Sequence, residues 1–325
     1  MLPNPDLLIS PFIRREAVSS SRIEGTVTDF EQLVLFEVGR DEGEAFADRQ
    51  EVSNYVTATQ YGFEQLKTRP IHLRLIREVH ERLMRGVRGE DKTPGEFRRR
   101  QNMIGRKGQS PAEARFIPPP VEEMKESLDD LEHYINHPSG MPVLVELALI
   151  HYQFETIHPF LDGNGRLGRL LINLLLYSRG CLTQPLLYLS SYLERNKDQY
   201  MDHLLKTSQT GDWQPWLEFF LEGVAVQART AIDRSNELLK LRDQLKAKWI
   251  KIRTTLVLDL IDMLFERPAV TITSLSQRRG VTFHAAQKSI DRLVADGTLV
   301  EVTGKLKKRV YLAPEIVRII NKDDI

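Results

Sequence analysis

Twelve consecutive residues concentrate the chemistry of this chain: His158-Pro159-Phe160-Leu161-Asp162-Gly163-Asn164-Gly165-Arg166-Leu167-Gly168-Arg169. Gly163-Asn164-Gly165 is placed to open a helix, where backbone N–H groups lack partners and the dipole is positive. Arg166 and Arg169 follow three residues apart, on one face of its first turns. Two cations at the positive end of a helix are unfavourable unless an anion neutralises them. Glycines let the backbone approach closely, a helix N-terminus favours phosphate, and two arginines fork onto further oxygens. Asp162 is placed to hold a Mg²⁺ that bridges those phosphates. His158 lies at the loop entrance, and a histidine, whose ordinary pKa is near neutrality, suits a general base there. The sum is a polyphosphate cradle with a base beside it.

Two apolar runs must position this loop. Val143 to Ile157 sets Leu144, Leu147, Phe154 and His158 along one helical face, with Pro142 at its start. Leu170 to Tyr177 is apolar nearly all round, which predicts a buried helix, and Arg179-Gly180 stops it. Gly163-x-Gly165-x-x-Gly168 matches the letters of a dinucleotide-binding fingerprint, but the preceding run is helical and too long for the strand that fingerprint needs. His151, Glu155 and His158 share a face without the His-Glu-x-x-His spacing of a zinc helix. The plain alternative is a Gly-Asn-Gly turn between core helices, carrying surface arginines.

The run resembles the signature of the Fic family, His-x-Phe-x-Asp/Glu-Gly-Asn-Gly-Arg-x-x-Arg, at every defined position. That resemblance implies a mainly α fold, a Fic helical bundle with a small β-hairpin flap. It also implies transfer of a nucleoside monophosphate, usually AMP from ATP, to a protein hydroxyl. Position by position, His158 resembles the base and Phe160 the loop anchor. Asp162 matches the magnesium ligand, and Gly163, Asn164 and Gly165 match the anion hole. Arg166 and Arg169 match the phosphate-binding arginines.

Upstream, residues 11–40 predict a helix, a break and a second helix. Ile13, Ala17, Ser20 and Glu24 lie along one side, and Gly25 terminates the first. Glu24 then sits at the helix end that repels anions, the counterpart of the ill-placed arginines; an ordinary surface glutamate is the alternative. Ser20-x-x-x-Glu24-Gly25 is similar to the Fic inhibitory motif Ser/Thr-x-x-x-Glu-Gly/Asn. The resemblance implies that Glu24 pairs with Arg169 and keeps the γ-phosphate out of place, with Ser20 orienting it.

Residues 48–90 predict two helices, with His80 a packed core histidine. The stretch from Gly95 to Pro120 loses helical period, and two β-like runs around Arg106 to Glu113 predict a hairpin. It resembles the Fic flap, whose edge (Ile104, Gly105, Phe116, Ile117) lines up a target segment by main-chain pairing. Arg106 departs from the second glycine frequent in the family. Helical pattern continues through Tyr188, Trp213 and Trp216 and is expected to end near Ala225, with Asn196 and Tyr200 as candidate neighbours of the base.

Four regions are expected: 1–40 inhibitory, 41–225 catalytic, 226–251 a charged, solvent-exposed connecting helix, and 252–325 a separate unit. In the last, helices at Thr255 to Phe265, Thr273 to Arg278 and Thr282 to Ala295 (burying Ala286, Ile290, Leu293 and Val294) precede two strands around Gly304 to Arg309. The order resembles a winged helix-turn-helix domain. His284, Gln287, Lys288 and Arg292 on its third helix, with the basic wing, make DNA a candidate partner, and a protein partner fits nearly as well.

The chain has 325 residues, 45 Lys+Arg against 45 Asp+Glu, and one cysteine, Cys181. Balanced charge excludes a chain-wide field for nucleic acid. A lone cysteine excludes an internal disulfide and predicts a reducing compartment. No signal core precedes the first helix and no run approaches the roughly twenty apolar residues that span a bilayer, so a cytoplasmic protein without a membrane partner is expected. The expected partners are ATP with Mg²⁺ and a protein carrying the accepting Ser, Thr or Tyr; a homodimer is a further candidate. Two other functions fit the residues: a DNA-binding regulator whose Fic domain senses nucleotide, and a hydrolase that removes AMP, with Glu24 aligning water.

Overall fold

A computed structural model describes residues 6–39, 45–105, 110–181, 187–250, 255–304 and 307–322. Its centre is an antiparallel pair, α6 (Val143–Ile157) and α7 (Asn164–Ser178), after α1 (Asp6–Ile23), α2 (Phe30–Glu37), α3 (Phe46–Leu66), α4 (Leu73–Leu83) and α5 (Val121–Asn136). Leu167, Leu170, Leu171, Ile172, Leu174, Leu175 and Leu176 of α7 are all buried. A helix with no polar face has nowhere else to go. Then come α8 (Ser190–Arg195), α9 (Lys197–Thr210) and α10 (Gln214–Trp249).

Local chemistry sets the boundaries. Asp29 and Gln32 form a reciprocal capping box on α2, and the His72 side chain caps α4 by accepting from Leu75 N. α1 ends where Gly25 takes φ +97°. Gly180, at φ +68°, follows the C-cap of α7.

α1 is part of the core. Phe12, Ile13, Ala17, Val18 and Ile23 are buried, against α3, α8 and the later helix α11 (Thr255–Glu266). Polar ties pin it as well. Ser190 N donates to Glu16 Oε2 at 3.0 Å, Tyr55 Oη to Glu16 Oε1 at 3.3 Å, and Lys197 Nζ to the Ile23 carbonyl at 2.5 Å.

Three expectations change. α10 does not end near Ala225; it runs unbroken from Gln214 to Trp249, and Gln227, Arg234, Leu238, Arg242 and Trp249 are buried. The charged stretch is thus a packed strut, and Arg242 and Lys246 both reach Asp262 at 2.7 and 2.6 Å. Among the described residues the flap is less regular than a two-stranded hairpin, with one antiparallel bridge, Ile104 to Phe116; Arg106 to Gln109 lie outside them. Helix α5, uninterrupted from Val121, was not anticipated.

The last unit contains α11, β1 (Ala269–Thr271), α12 (Ile272–Arg279), α13 (Phe283–Ala295), β2 (Val300–Glu301), β3 (Val310–Leu312) and α14 (Pro314–Asn321). The antiparallel sheet has order β1-β3-β2, pairing both Ala269 and Val300 with Leu312. β1 and α14 extend the expected pattern. Ala286, Ile290 and Leu293 are buried as predicted, whereas Val294 is exposed, one position round from the packed face. Among the described residues no helix is long and apolar enough to cross a membrane.

Candidate active site

The loop from His158 to Arg169 begins where α6 ends. His158 is its C-cap and takes φ +48°, a left-handed conformation uncommon without a glycine. The surroundings over-determine it. Arg98 is buried and donates from Nε to the His158 carbonyl at 3.1 Å, and Asn102 Nδ2 donates to the carbonyls of His158 (3.0 Å) and Phe160 (2.9 Å). From inside, Asn164 Oδ1 accepts from Phe160 N at 2.9 Å while its Nδ2 donates to Phe160 O at 2.8 Å.

Phe160 is fully buried and stacks on His80, with centroids 3.7 Å apart and planes 11° apart. His80 Nδ1 accepts from Gly95 N at 2.9 Å, so its Nε2–H donates to the Asp162 carbonyl, also at 2.9 Å. Burial lowers the His80 pKa to about 4, keeping the ring in the neutral tautomer those bonds require. This histidine is a strut for the loop. Gly163, the N-cap of α7, takes φ +78°, and a methyl there would sit 2.6 Å from Met84 Sδ.

The two arginines have different neighbours. Arg166 is buried with Nη1 2.7 Å from Glu51 Oε1 and Nη2 3.6 Å from Asp162 Oδ1. Arg169, also buried, donates from Nε to Ser20 Oγ at 2.9 Å, and from Nη2 to the Ser20 carbonyl (2.9 Å) and Glu24 Oε1 (2.6 Å). The Glu24 side chain is 33 % exposed. Its partial burial favours the neutral acid, but the charge and hydrogen bond of Arg169, with Arg166 and His158 behind, hold its pKa below the usual value. A methyl on Gly165 would collide with Glu24 Oε1. The carboxylate therefore lies on the first turn of α7, where an anion would be bound.

His158 points into the same space. Burial lowers its pKa to about 4. With Nδ1–H donating to the Glu155 carbonyl at 3.2 Å, Nε2 keeps its lone pair. Such a ring can accept a proton at neutral pH. Asp162 Oδ1 accepts from Gly163 N at 2.7 Å. Its side chain is half-buried and borders the cavity, so it can share a Mg²⁺ with phosphate oxygens.

One cavity of about 250 Å³ collects these groups. Gly163, Gly165, Arg169 and Glu24 border one side, and Ile104, Gly105 and Phe116 of the flap another. Ile104 N donates to Phe116 O at 2.9 Å and Phe116 N to Ile104 O at 3.2 Å, while Ile117 is 52 % exposed. α9 supplies an apolar side from Met201, Leu204 and Leu205 that sequence reading did not assign; their spacing at 201, 204 and 205 was its available signal. Arg115 ties the flap to α9 through Asp202 at 2.5 Å. Tyr200 borders the cavity, and its hydroxyl donates to His151 Nε2 at 2.9 Å, while His151 Nδ1–H donates to Gly168 O at 3.2 Å. Asn196 does not reach the cavity lining; its amide donates to the Tyr192 carbonyl.

Comparison with known proteins agrees with this geometry. Residues 70–176 match the Fic/DOC family, and residues 1–64 match the Fic/DOC family N-terminal region. Protein adenylyltransferase Fic of Drosophila virilis is 32% identical over 154 residues, 47% of this chain and 28% of that protein. The Drosophila ananassae protein of the same name is 28% identical over 184 residues, 56% of this chain and 33% of that protein. The chain thus spans about a third or less of the length of the curated relatives it matches. A Fic family protein from Desulfovibrio desulfuricans G20 superposes with a TM-score of 0.61 at 21% identity, over 93% of this chain and 86% of that one. A fragment of Fic-1 from C. elegans gives 0.56 at 22% identity, over 72% and 67%. At such identities the likeness shows the fold. With both regions of the family matched over more than half of its length, this chain belongs to the Fic/DOC family.

Proposed function

We propose that the protein transfers AMP from ATP to a Ser, Thr or Tyr hydroxyl of a protein, and that Glu24 restrains the reaction in the resting chain. The single observation that carries this reading is the place of Glu24: bonded to Arg169 and seated on Gly165. The carboxylate stands in for an anion that the first turn of α7 and Arg169 would otherwise hold.

In the reaction, the target hydroxyl lies against His158 Nε2, which takes its proton as the oxygen attacks the α-phosphorus. Pyrophosphate leaves in line, held by the N–H groups that open α7 and by Arg169. Arg166 contributes positive charge while Glu51 fixes its direction. Mg²⁺, held by Asp162, would supply charge neutralisation along the phosphates. The apolar side formed by α9 and Ile104 suits a purine face. Flap atoms beyond the Ile104–Phe116 bridge would pair with the target backbone.

The test is label incorporation from α-labelled ATP, read in cell lysate. Glu24→Gly protein should label itself or a partner, and the double variant that adds His158→Ala should not. Equal labelling by both would refute the base assigned here. A Glu24→Gly protein that loses an AMP-releasing activity would point to the hydrolase instead.

We infer also that residues 255–322 form a winged-helix module. Its helix–strand–helix–helix–hairpin order supports that reading. α13 exposes His284 and Lys288, and the β2–β3 loop exposes Lys307, Lys308 and Arg309; Lys305 lies outside the described residues. These cations support duplex DNA as its ligand, although Asp291 is exposed on the same helix. Retention on DNA at low salt should collapse when Lys307 and Lys308 are neutralised.

A further inference from the structure

Glu155 takes no part in the steps above, yet it is the least explained polar group of the site. It lies on the last turn of α6, is 8 % exposed and borders the cavity. Its Oε1 is buried with no hydrogen-bond partner. The carboxyl packs against the bare Cα of Gly168, where any side chain would collide with it. Arg169 Nε and Nη2 donate to Ser20 and Glu24 instead. A buried acceptor without a partner is costly and rare, and because Glu155 borders the cavity, a turn of its carboxyl would offer that oxygen to a donor entering there.

Its position says what. Glu155 borders α7 at Gly168 and lies within electrostatic reach of Arg169 and of Tyr200 on α9. It therefore stands between the anion-binding turn and the apolar side made by Met201, Leu204 and Leu205. A nucleotide that puts its phosphates on the first and its base on the second spans that interval with its sugar. The hydroxyls of a sugar are donors, and an acidic side chain accepting from a ribose hydroxyl is an established solution in other nucleotide folds.

We propose that Glu155 accepts a hydrogen bond from a ribose hydroxyl of the bound nucleotide and so selects ribonucleotides over deoxyribonucleotides. This rests on the reading of the cavity as a nucleotide site. Burial, opposed by Arg169, raises the Glu155 pKa to about 7, and both protonation states retain an acceptor oxygen. Selection should be strong, because a deoxyribose leaves that buried oxygen without a partner.

The experiment measures binding by calorimetry, so that it does not depend on transfer. Glu24→Gly protein is titrated with ATP, 2′-deoxy-ATP, 3′-deoxy-ATP and the purine riboside triphosphate that lacks the amino group, all with Mg²⁺. One deoxy analogue should bind roughly tenfold or more weakly than ATP, the scale of one lost hydrogen bond to a charged group. The preference should shrink to within about twofold in the Glu24→Gly/Glu155→Met protein, and should survive in part in Glu155→Gln, which keeps an acceptor. Ribo and deoxy forms binding alike to the Glu155 protein would overturn the inference alone, whatever becomes of the variants. So would a preference that follows the amino group, or one that Glu155→Met leaves intact. If no nucleotide binds, the inference falls together with the functional reading beneath it.

Discussion

Glu24 Oε1 lies 2.6 Å from Arg169 Nη2, and the same oxygen occupies the space directly over Gly165. One carboxylate thus engages both the cation and the helix start that would receive a phosphate. The space over Gly165 is itself a testable claim. Gly165→Ala should eliminate label transfer in the wild-type chain and equally in the Glu24→Gly chain, because the methyl projects where the phosphate must lie. Transfer by the double variant at the rate of Glu24→Gly would place the phosphate elsewhere.

His158 should be a neutral base over the whole physiological range. Its pKa is lowered to about 4 in the folded chain, first by burial, against about 6.5 for an ordinary histidine. With a depressed folded value, its contribution to stability is full above about pH 6.5 and drains as pH falls toward 4. In the ligand-free protein, NMR titration of the His158 ring should show no protonation until well below pH 5. A midpoint near 6.5 would mean that the ring is solvated.

The strut beneath the loop should be worth several kcal/mol. Phe160→Ala removes a fully buried ring stacked on His80 and should cost about 3–5 kcal/mol, read as a fall in denaturant midpoint at unchanged slope. Asn164→Asp keeps the acceptor for Phe160 N and loses the donor to Phe160 O. It should lose transfer although every N–H of α7 remains, because the side chain of Asn164 shapes the loop and only its backbone faces an anion. Normal transfer by Asn164→Asp would contradict that division.

How much of this could be read from the letters follows from how local each constraint is. The loop from His158 to Arg169 was legible because its requirements are local: glycine at a left-handed cap, cations three apart, apolar runs on both sides. The pairing of Glu24 with Arg169 was anticipated from opposite misfits at two helix ends and from a family likeness. Glu51, Arg98 and Asn102 were missed, since they reach the loop across 56 to 115 positions of chain and leave no periodic trace; Glu51 meets Arg166, and Arg98 and Asn102 meet the His158 carbonyl. The expected end near Ala225 failed for a physical reason. Gly223 lies inside α10 rather than at its end, and a methyl there would come 2.6 Å from the Tyr192 ring, so the helix packs closely through this point.

The restraint by Glu24, just past the end of α1, over part of a triphosphate site is tested most directly by the initial rate of α-label transfer at saturating Mg-ATP. Replacing Glu24 by Gly should raise that rate at least tenfold, in keeping with removal of a charge-assisted bond of about 1.5–3 kcal/mol. An unchanged or slower rate, in a protein that still folds and binds ATP, would contradict the account.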